Sequence, residues 1–227
     1  MDNNDYDNIF KVPFLACCIA KRNSGKSFLT KYLVKYFIDN GQIDEVMAFT
    51  QTNDMNNEYD YLKKKYVFDR YDDDKMNKIM ELQKKQIKKY GKESKKVKNI
   101  LIILDDVIGS LDAYSPVIRR LITQGRHYNI SLILNIQISK RELSTDFRAN
   151  ADIFIVGYNN RNTIKSLYEE FEFDGNLKDF INFIHKNTTD YNFVLYINKV
   201  MNTYDINKRY LIIKADDSDD LKNFNIK

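Results

Sequence analysis

The chain has 227 residues, 43% of them apolar and 30% charged, with a formal net charge of +4. That is enough for one good core, and whole-chain charge argues only weakly for a polyanionic partner. The polar, acidic opening MDNNDYDN is no secretory signal, and no apolar run approaches membrane-spanning length. Cys17 and Cys18, adjacent in an apolar run, read as small buried hydrophobes in a reducing compartment; with only His127 and His185 beside them, no zinc site is expected.

Residues 1–12 read as a flexible leader, 13–215 as a single domain and 216–227 as an acidic tail carrying Asp216, Asp217, Asp219 and Asp220. Pro13 opens an apolar run, Phe14 to Ile19 with Ala20 at its boundary, that predicts a strand. An amphipathic pattern begins near Lys26. Between them lies Ala20-Lys21-Arg22-Asn23-Ser24-Gly25-Lys26-Ser27, which fits the phosphate-binding pattern G-x-x-x-x-G-K-[ST] with Ala in the first Gly position. Gly25 lets the backbone approach an anion, and successive N–H groups at the turn and helix N-terminus point at phosphate oxygens. Lys26 adds a point charge on the β- and γ-phosphates, and Ser27 a hydroxyl for Mg²⁺. Ala20 to Ser27, with Phe28 next to them, form the expected nucleotide-binding stretch; the plain alternative is a glycine turn with a solvated lysine.

Asn40-Gly41 marks a stop, Glu45 to Thr50 a second strand, and Tyr66-Val67-Phe68 a short edge strand. Tyr71 to Asp74 caps a helix to about Tyr90 with Met76, Ile79, Gln83, Ile87 and Tyr90 on one stripe. A surface helix packed on the sheet is preferred there to a dedicated nucleic-acid contact. Lys84 to Lys98 hold eight lysines against one acid, Glu93. Asn99 to Leu104, apolar on both faces, predicts a central parallel strand. Asp105-Asp106 follow it, at the end where open α/β sheets bind ligands. Asp105 suits the Mg²⁺ shell, and Asp106 the orientation or deprotonation of an attacking water; an ordinary turn after a strand is the alternative.

Ser115-Pro116 starts a helix closed by Gly125, and Arg126-His127 leads into a strand, Ile130 to Gln137, whose tip carries the amides Asn135 and Gln137, suited to touch the γ-phosphate or the water; for Gln137 a strand-end residue facing solvent is the alternative. Lys140-Arg141 follow in a loop, then Phe147-Arg148-Ala149-Asn150 and a fifth strand, Asp152 to Gly157. Helical patterns return at 160–171 and 177–185, where His185 reads as a packed or surface residue and not a catalyst. Alternating stretches at 192–198 and 209–214 close the fold as a hairpin or sheet extension. The expected class is an α/β three-layer P-loop NTPase sandwich. Its sheet is mostly parallel, with an additional strand between the phosphate-loop (Walker A) strand and the acidic (Walker B) strand, and a C-terminal β extension.

AKRNSGKS at 20–27, ILIILDD at 100–106 and above all QGRHYNISLILNIQ at 124–137 carry a resemblance to the FtsK/HerA group of P-loop motor ATPases. Within that group the chain looks like the genome-packaging ATPases of large DNA viruses, the poxvirus type, and their virophage relatives; FRANADIFIVGY at 147–158 matches the next strand. The resemblance covers roughly residues 12–160. It implies an ATP- and Mg²⁺-dependent translocase that forms a homo-oligomeric ring, pentamer or hexamer, and drives double-stranded DNA into a capsid. Capsid proteins are then partners, and the setting is the virus factory in the host cytoplasm and the virion. Lys26 and Ser27 would bind ATP and Mg²⁺, Asp105 the metal, Asp106 would be the catalytic carboxylate and Gln137 the sensor. An arginine from the neighbouring subunit would complete the site, Arg126 ahead of Arg148, although each also reads as a structural ion-pair residue. The wider superfamily has Glu where this chain has Asp106, which shortens the reach by one methylene.

Other readings are a nucleotide-regulated DNA or capsid assembly module with little turnover, and a P-loop small-molecule kinase. The kinase lacks support from an arginine-rich lid. No Asn-Lys-x-Asp signature points to a GTPase, and strands after the last helices argue against an AAA+ remodelling enzyme. The lysines from 84 to 98 or the Lys140-Arg141 loop are the candidate DNA contacts.

Overall fold

Alternation along the strands sets how the layers stack. The computed structural model describes residues 8–51, 57–107, 115–137, 145–199, 205–215 and 217–226. Its strands are β1 (Leu15–Ile19), β2 (Glu45–Thr50), β3 (Val67–Phe68), β4 (Ile100–Asp105), β5 (Ile130–Ile136), β6 (Ile153–Val156), β7 (Asn192–Ile197) and β8 (Tyr210–Lys214). They form one sheet in the order β3-β2-β4-β5-β1-β6-β7-β8. Pairing is parallel from β3 to β6 and antiparallel for β7 and β8. The additional strand between β1 and β4 is therefore β5, and the C-terminal extension is the β7–β8 pair.

Among the described residues the helices are α1 (Lys26–Asp39), α2 (Asp73–Tyr90), α3 (Pro116–Gln124), α4 (Thr145–Asn150), α5 (Arg161–Tyr168), α6 (Leu177–Asn187) and α7 (Asp219–Lys222). In β1, Ala16 and Cys18 face the layer of α1, while Leu15, Cys17 and Ile19 face the layer of α2 to α6. The small side chains let α1 lie close to the sheet. The same parity turns Leu101 and Ile103 of β4, and Ile133 of β5, toward α1, and it carries Asp105 to that side too. Both faces of the sheet are covered, as a parallel sheet with crossover helices requires.

Asp72 caps α2 by accepting from the Lys75 amide at 2.8 Å. Ser115 caps α3, with Pro116 in its first turn, and donates its hydroxyl to Asp73 at 2.7 Å. The buried stripe of α2 is Met76, Ile79, Met80 and Gln83. It stops short of the expected Ile87 and Tyr90: Ile87 is half-buried and Tyr90 exposed, its ring meeting the Lys89 and Lys96 ammoniums at 4.9 and 5.1 Å instead of the core. Gln83 is buried for a different reason, its amide donating to the carbonyls of Lys98 at 2.7 Å and Tyr128 at 2.8 Å.

The packed body extends beyond the expected boundaries at 12 and 216. Ile9 and Phe10 are buried, and the Phe10 ring meets Phe14 at 5.3 Å and Phe37 at 5.6 Å edge-on. At the other end Leu221 is buried in the α1 layer, and the Ile226 amide donates to the Tyr61 carbonyl at 2.7 Å. Apolar residues within polar, acidic composition explain both differences. Residues 1–7, Lys140-Arg141 and Asp216 lie outside the described residues. Among the described residues no helix is long and apolar enough to cross a membrane.

Candidate functional site

The turn from β1 into α1 closes around its own lysine. Asn23 and Gly25 hold φ of 57° and 88°, the left-handed values that turn the chain from strand to helix. Lys26 is 7% exposed; its ammonium donates to the carbonyl of Ala20 at 3.0 Å and of Lys21 at 3.4 Å. Ser24 donates its hydroxyl to Lys21 O at 2.6 Å. The first turn of α1 contains no acid to repel an anion.

Beside the turn lies a cavity of about 750 Å³, with Arg22 to Phe28, Asp105, Asp106 and Gln137 on its walls. Ala20 and Lys21, expected among the ligand-binding residues, do not line it; they supply the carbonyls that hold Lys26. Ala20 is fully buried, and a Cβ added to Gly157 would come within 2.7 Å of its methyl. The alanine in the first glycine position is thus accommodated by a residue without a side chain on the neighbouring strand's end.

Asp105 is 3% exposed at the tip of β4. Burial pushes its carboxyl up to about 6, with Asp106 and Glu58 adding to the effect, while the Tyr59 hydroxyl and Lys26 oppose it. The Tyr59 hydroxyl donates to Asp105 Oδ2 at 2.6 Å. Asp106, at φ 50°, leaves the strand in a left-handed conformation that Asp tolerates better than most residues. Its carboxylate accepts from the Gln137 side-chain amide, so the two residues expected to manage the water are in direct contact.

Asn135 is placed differently from its expected role at the phosphate. It pairs with Asp105 across β4 and β5, is fully buried, and donates to Thr30 Oγ1 at 3.1 Å and Tyr59 Oη at 3.4 Å. Its amide ties the sheet to α1 from behind Asp105. Tyr59, Thr30, Glu58, Lys31 and Tyr191 all belong to the site or its support and went unnoticed in the sequence. Their positions lie in loops and helix interiors where no motif marks them.

Arg126 and Arg148 lie by the N-terminal ends of the central strands, the ends opposite the cavity. Arg126 Nη1 meets Asp152 Oδ1 at 3.0 Å, while Asp152 Oδ2 accepts the Leu15 amide at 2.8 Å. Arg148 pairs with Glu170. In its own chain each arginine is held by an acid. His185 packs as expected, its ring stacked on Tyr158 with centroids 5.8 Å apart.

Among the described residues no group of three or more His, Cys, Asp or Glu is arranged to hold a metal ion by itself. A cation at Ser27 and Asp105 would take its remaining oxygens from phosphate and water, as Mg²⁺ commonly does. The buried carboxylate, the inward lysine and the glycine cradle fit a nucleoside triphosphate with such an ion.

No curated protein matches the sequence. The fold is similar to that of the genome packaging NTPase B204 from Sulfolobus turreted icosahedral virus 2, solved with ATP-gammaS. The two are 20% identical with a TM-score of 0.60, over 88% of this chain and 96% of that one. B204 of Sulfolobus turreted icosahedral virus, described as a DNA-packaging ATPase, gives 20% identity and a TM-score of 0.61 over 89% and 98%. The pCW3 conjugation coupling protein TcpA, with ATPgS, gives 14% identity and 0.64 over 95% of this chain and 63% of its own. The family model described as Poxvirus A32 protein matches residues 1–227, and the chain belongs to that family.

Proposed function

We propose that this chain is the ATP-hydrolysing motor of viral genome packaging, moving double-stranded DNA into a preformed capsid as a homo-oligomeric ring. One observation carries this reading: Lys26, Ser27, the buried Asp105 and the Asp106–Gln137 pair converge on one cavity, in a chain of the A32 family. The fold shared with packaging NTPases supports it.

In this reading the loop amides and Lys26 bind the phosphates, and Ser27 and Asp105 hold Mg²⁺. The ion, when bound, neutralises charge on the β- and γ-phosphate oxygens. Asp106 takes the proton of the attacking water. Gln137, already bonded to Asp106, orients that carboxylate and senses the terminal phosphate. An arginine from the neighbouring subunit offsets charge in the transition state, with Arg126 the first candidate and Arg148 the second. The DNA contacts are lysines of the 84–98 segment, with Lys140-Arg141 as the other candidate pair, and the capsid supplies a protein partner. The place of action is the virus factory and the virion.

The test is ATP hydrolysis by the purified chain with and without linear double-stranded DNA at two salt concentrations, beside Lys26→Ala. DNA-stimulated, salt-sensitive turnover that K26A loses is expected. ATP binding without phosphate release above that of D106N would replace the motor with an assembly module. Phosphate transfer to an added nucleoside monophosphate would replace it with a kinase.

A further inference from the structure

The phosphate cavity shares walls with a second one of about 450 Å³: Gly25, Phe28 and Tyr191 line both. The far walls of the second cavity include Phe193, Asp190 and Lys214. With the phosphates drawn to Lys26, the second cavity offers space for the sugar and base on the side of the loop where Gly25 and Phe28 stand.

Tyr191 is built to meet what emerges there. It is 62% exposed, the most exposed of the large hydrophobic side chains among the described residues. Its backbone and that of Asp190 are both left-handed, with φ of 57° and 53°, a conformation a bulky residue seldom adopts. Polar contacts keep the turn in that shape. Asp190 pairs with Lys214 at 2.5 Å, and Asn192 donates to the Thr189 carbonyl from its backbone at 3.1 Å and its side chain at 2.7 Å. The turn thus holds an aromatic ring out beside the phosphate loop. Gly25 makes room for it, since a Cβ there would lie 3.1 Å from Tyr191 Cδ1.

We propose that Tyr191 stacks on the nucleobase of the bound nucleotide and that the second cavity is the base subsite, with Phe28 on its inner wall. An aromatic ring offers a flat apolar face to any base, and a purine covers more of it. The assignment rests on ATP being the nucleotide bound.

Equilibrium binding of ATP and of inorganic tripolyphosphate, which has no base, to the full-length chain and its Y191A, Y191F and Y191W variants tests this. Y191A is expected to weaken ATP binding about tenfold and to leave tripolyphosphate binding within about twofold, with Y191F and Y191W close to wild type for both. Equal weakening of both ligands by Y191A would overturn the proposal, since the ring would then only shape the phosphate loop. No weakening of either would overturn it as well. Wild-type protein that fails to bind ATP would refute the ATP reading itself, whereas wild-type binding with an indifferent Y191A refutes base stacking alone.

Discussion

Ala20 and Gly157 form a matched pair: one adds a methyl where the phosphate-loop pattern has none, and the other removes the side chain that methyl would strike. A Cβ on Gly157 would meet Ala20 Cβ at 2.7 Å and Phe193 Cε1 at 2.6 Å. Gly157→Ala should therefore cost ~1–3 kcal/mol in denaturant unfolding, and Ala20→Gly in the same chain should recover part of it. Purely additive losses would show that the two sites are not coupled. The catalytic reading of Asp106 is equally open to test. Asp106→Asn should lower kcat by about a hundredfold or more while ATP binding persists, the signature of lost general-base action rather than lost affinity. The cysteines are chemically quiet for a physical reason. Burial raises the Cys17 thiol, and pushes Cys18 up to about 12, so neither carries appreciable thiolate at pH 8. Thiol reagents should label both only as fast as the protein unfolds; rapid labelling of the native chain would contradict the packing of β1.

Short apolar segments at the two ends lock the α1 layer. Phe10 is 1% exposed between Phe14 and Phe37, so Phe10→Ala should destabilise the fold by ~3–5 kcal/mol, read as a lowered denaturation midpoint. A freely moving leader would give no change. The C-terminal segment does comparable work through Leu221 and through Phe224, whose ring lies 5.9 Å from Tyr61. Composition concealed both, because one or two apolar residues among acids and amides produce no periodic signal. Helix α2 shows the reverse: its stripe was visible, but not that burial would end at Gln83 and leave Tyr90 among lysines.

In the assembled molecule the two ends of the central strands carry different duties. The cavity lies at the C-terminal ends of β1, β4 and β5, and Arg126 and Arg148 lie by the N-terminal ends of β5, β1 and β6. If Arg126 completes a neighbour's site, K26A and R126A chains, each inactive alone, should regain turnover when mixed, because some interfaces then hold an intact lysine and an intact arginine. Mixtures that stay inactive would reduce Arg126 to the ion pair that orients Asp152.

The phosphate loop, the acidic pair and the strand-tip glutamine were legible because each is a local arrangement: a glycine turn between a strand and a helix, or a polar residue where an apolar run ends. The order of apolar runs likewise implied a mostly parallel sheet. Tertiary structure alone decided which polar tips face the cavity. Asn135 and Gln137 sit two residues apart, yet one is sealed between the sheet and α1 and the other reaches Asp106. Nor does local spacing bring Tyr59 to Asp105 or Tyr191 to Gly25, pairs separated by 46 and by well over a hundred residues. Such contacts depend on how loops from distant strands close over the C-terminal ends of the sheet's strands, which is a property of packing and not of any segment's own pattern.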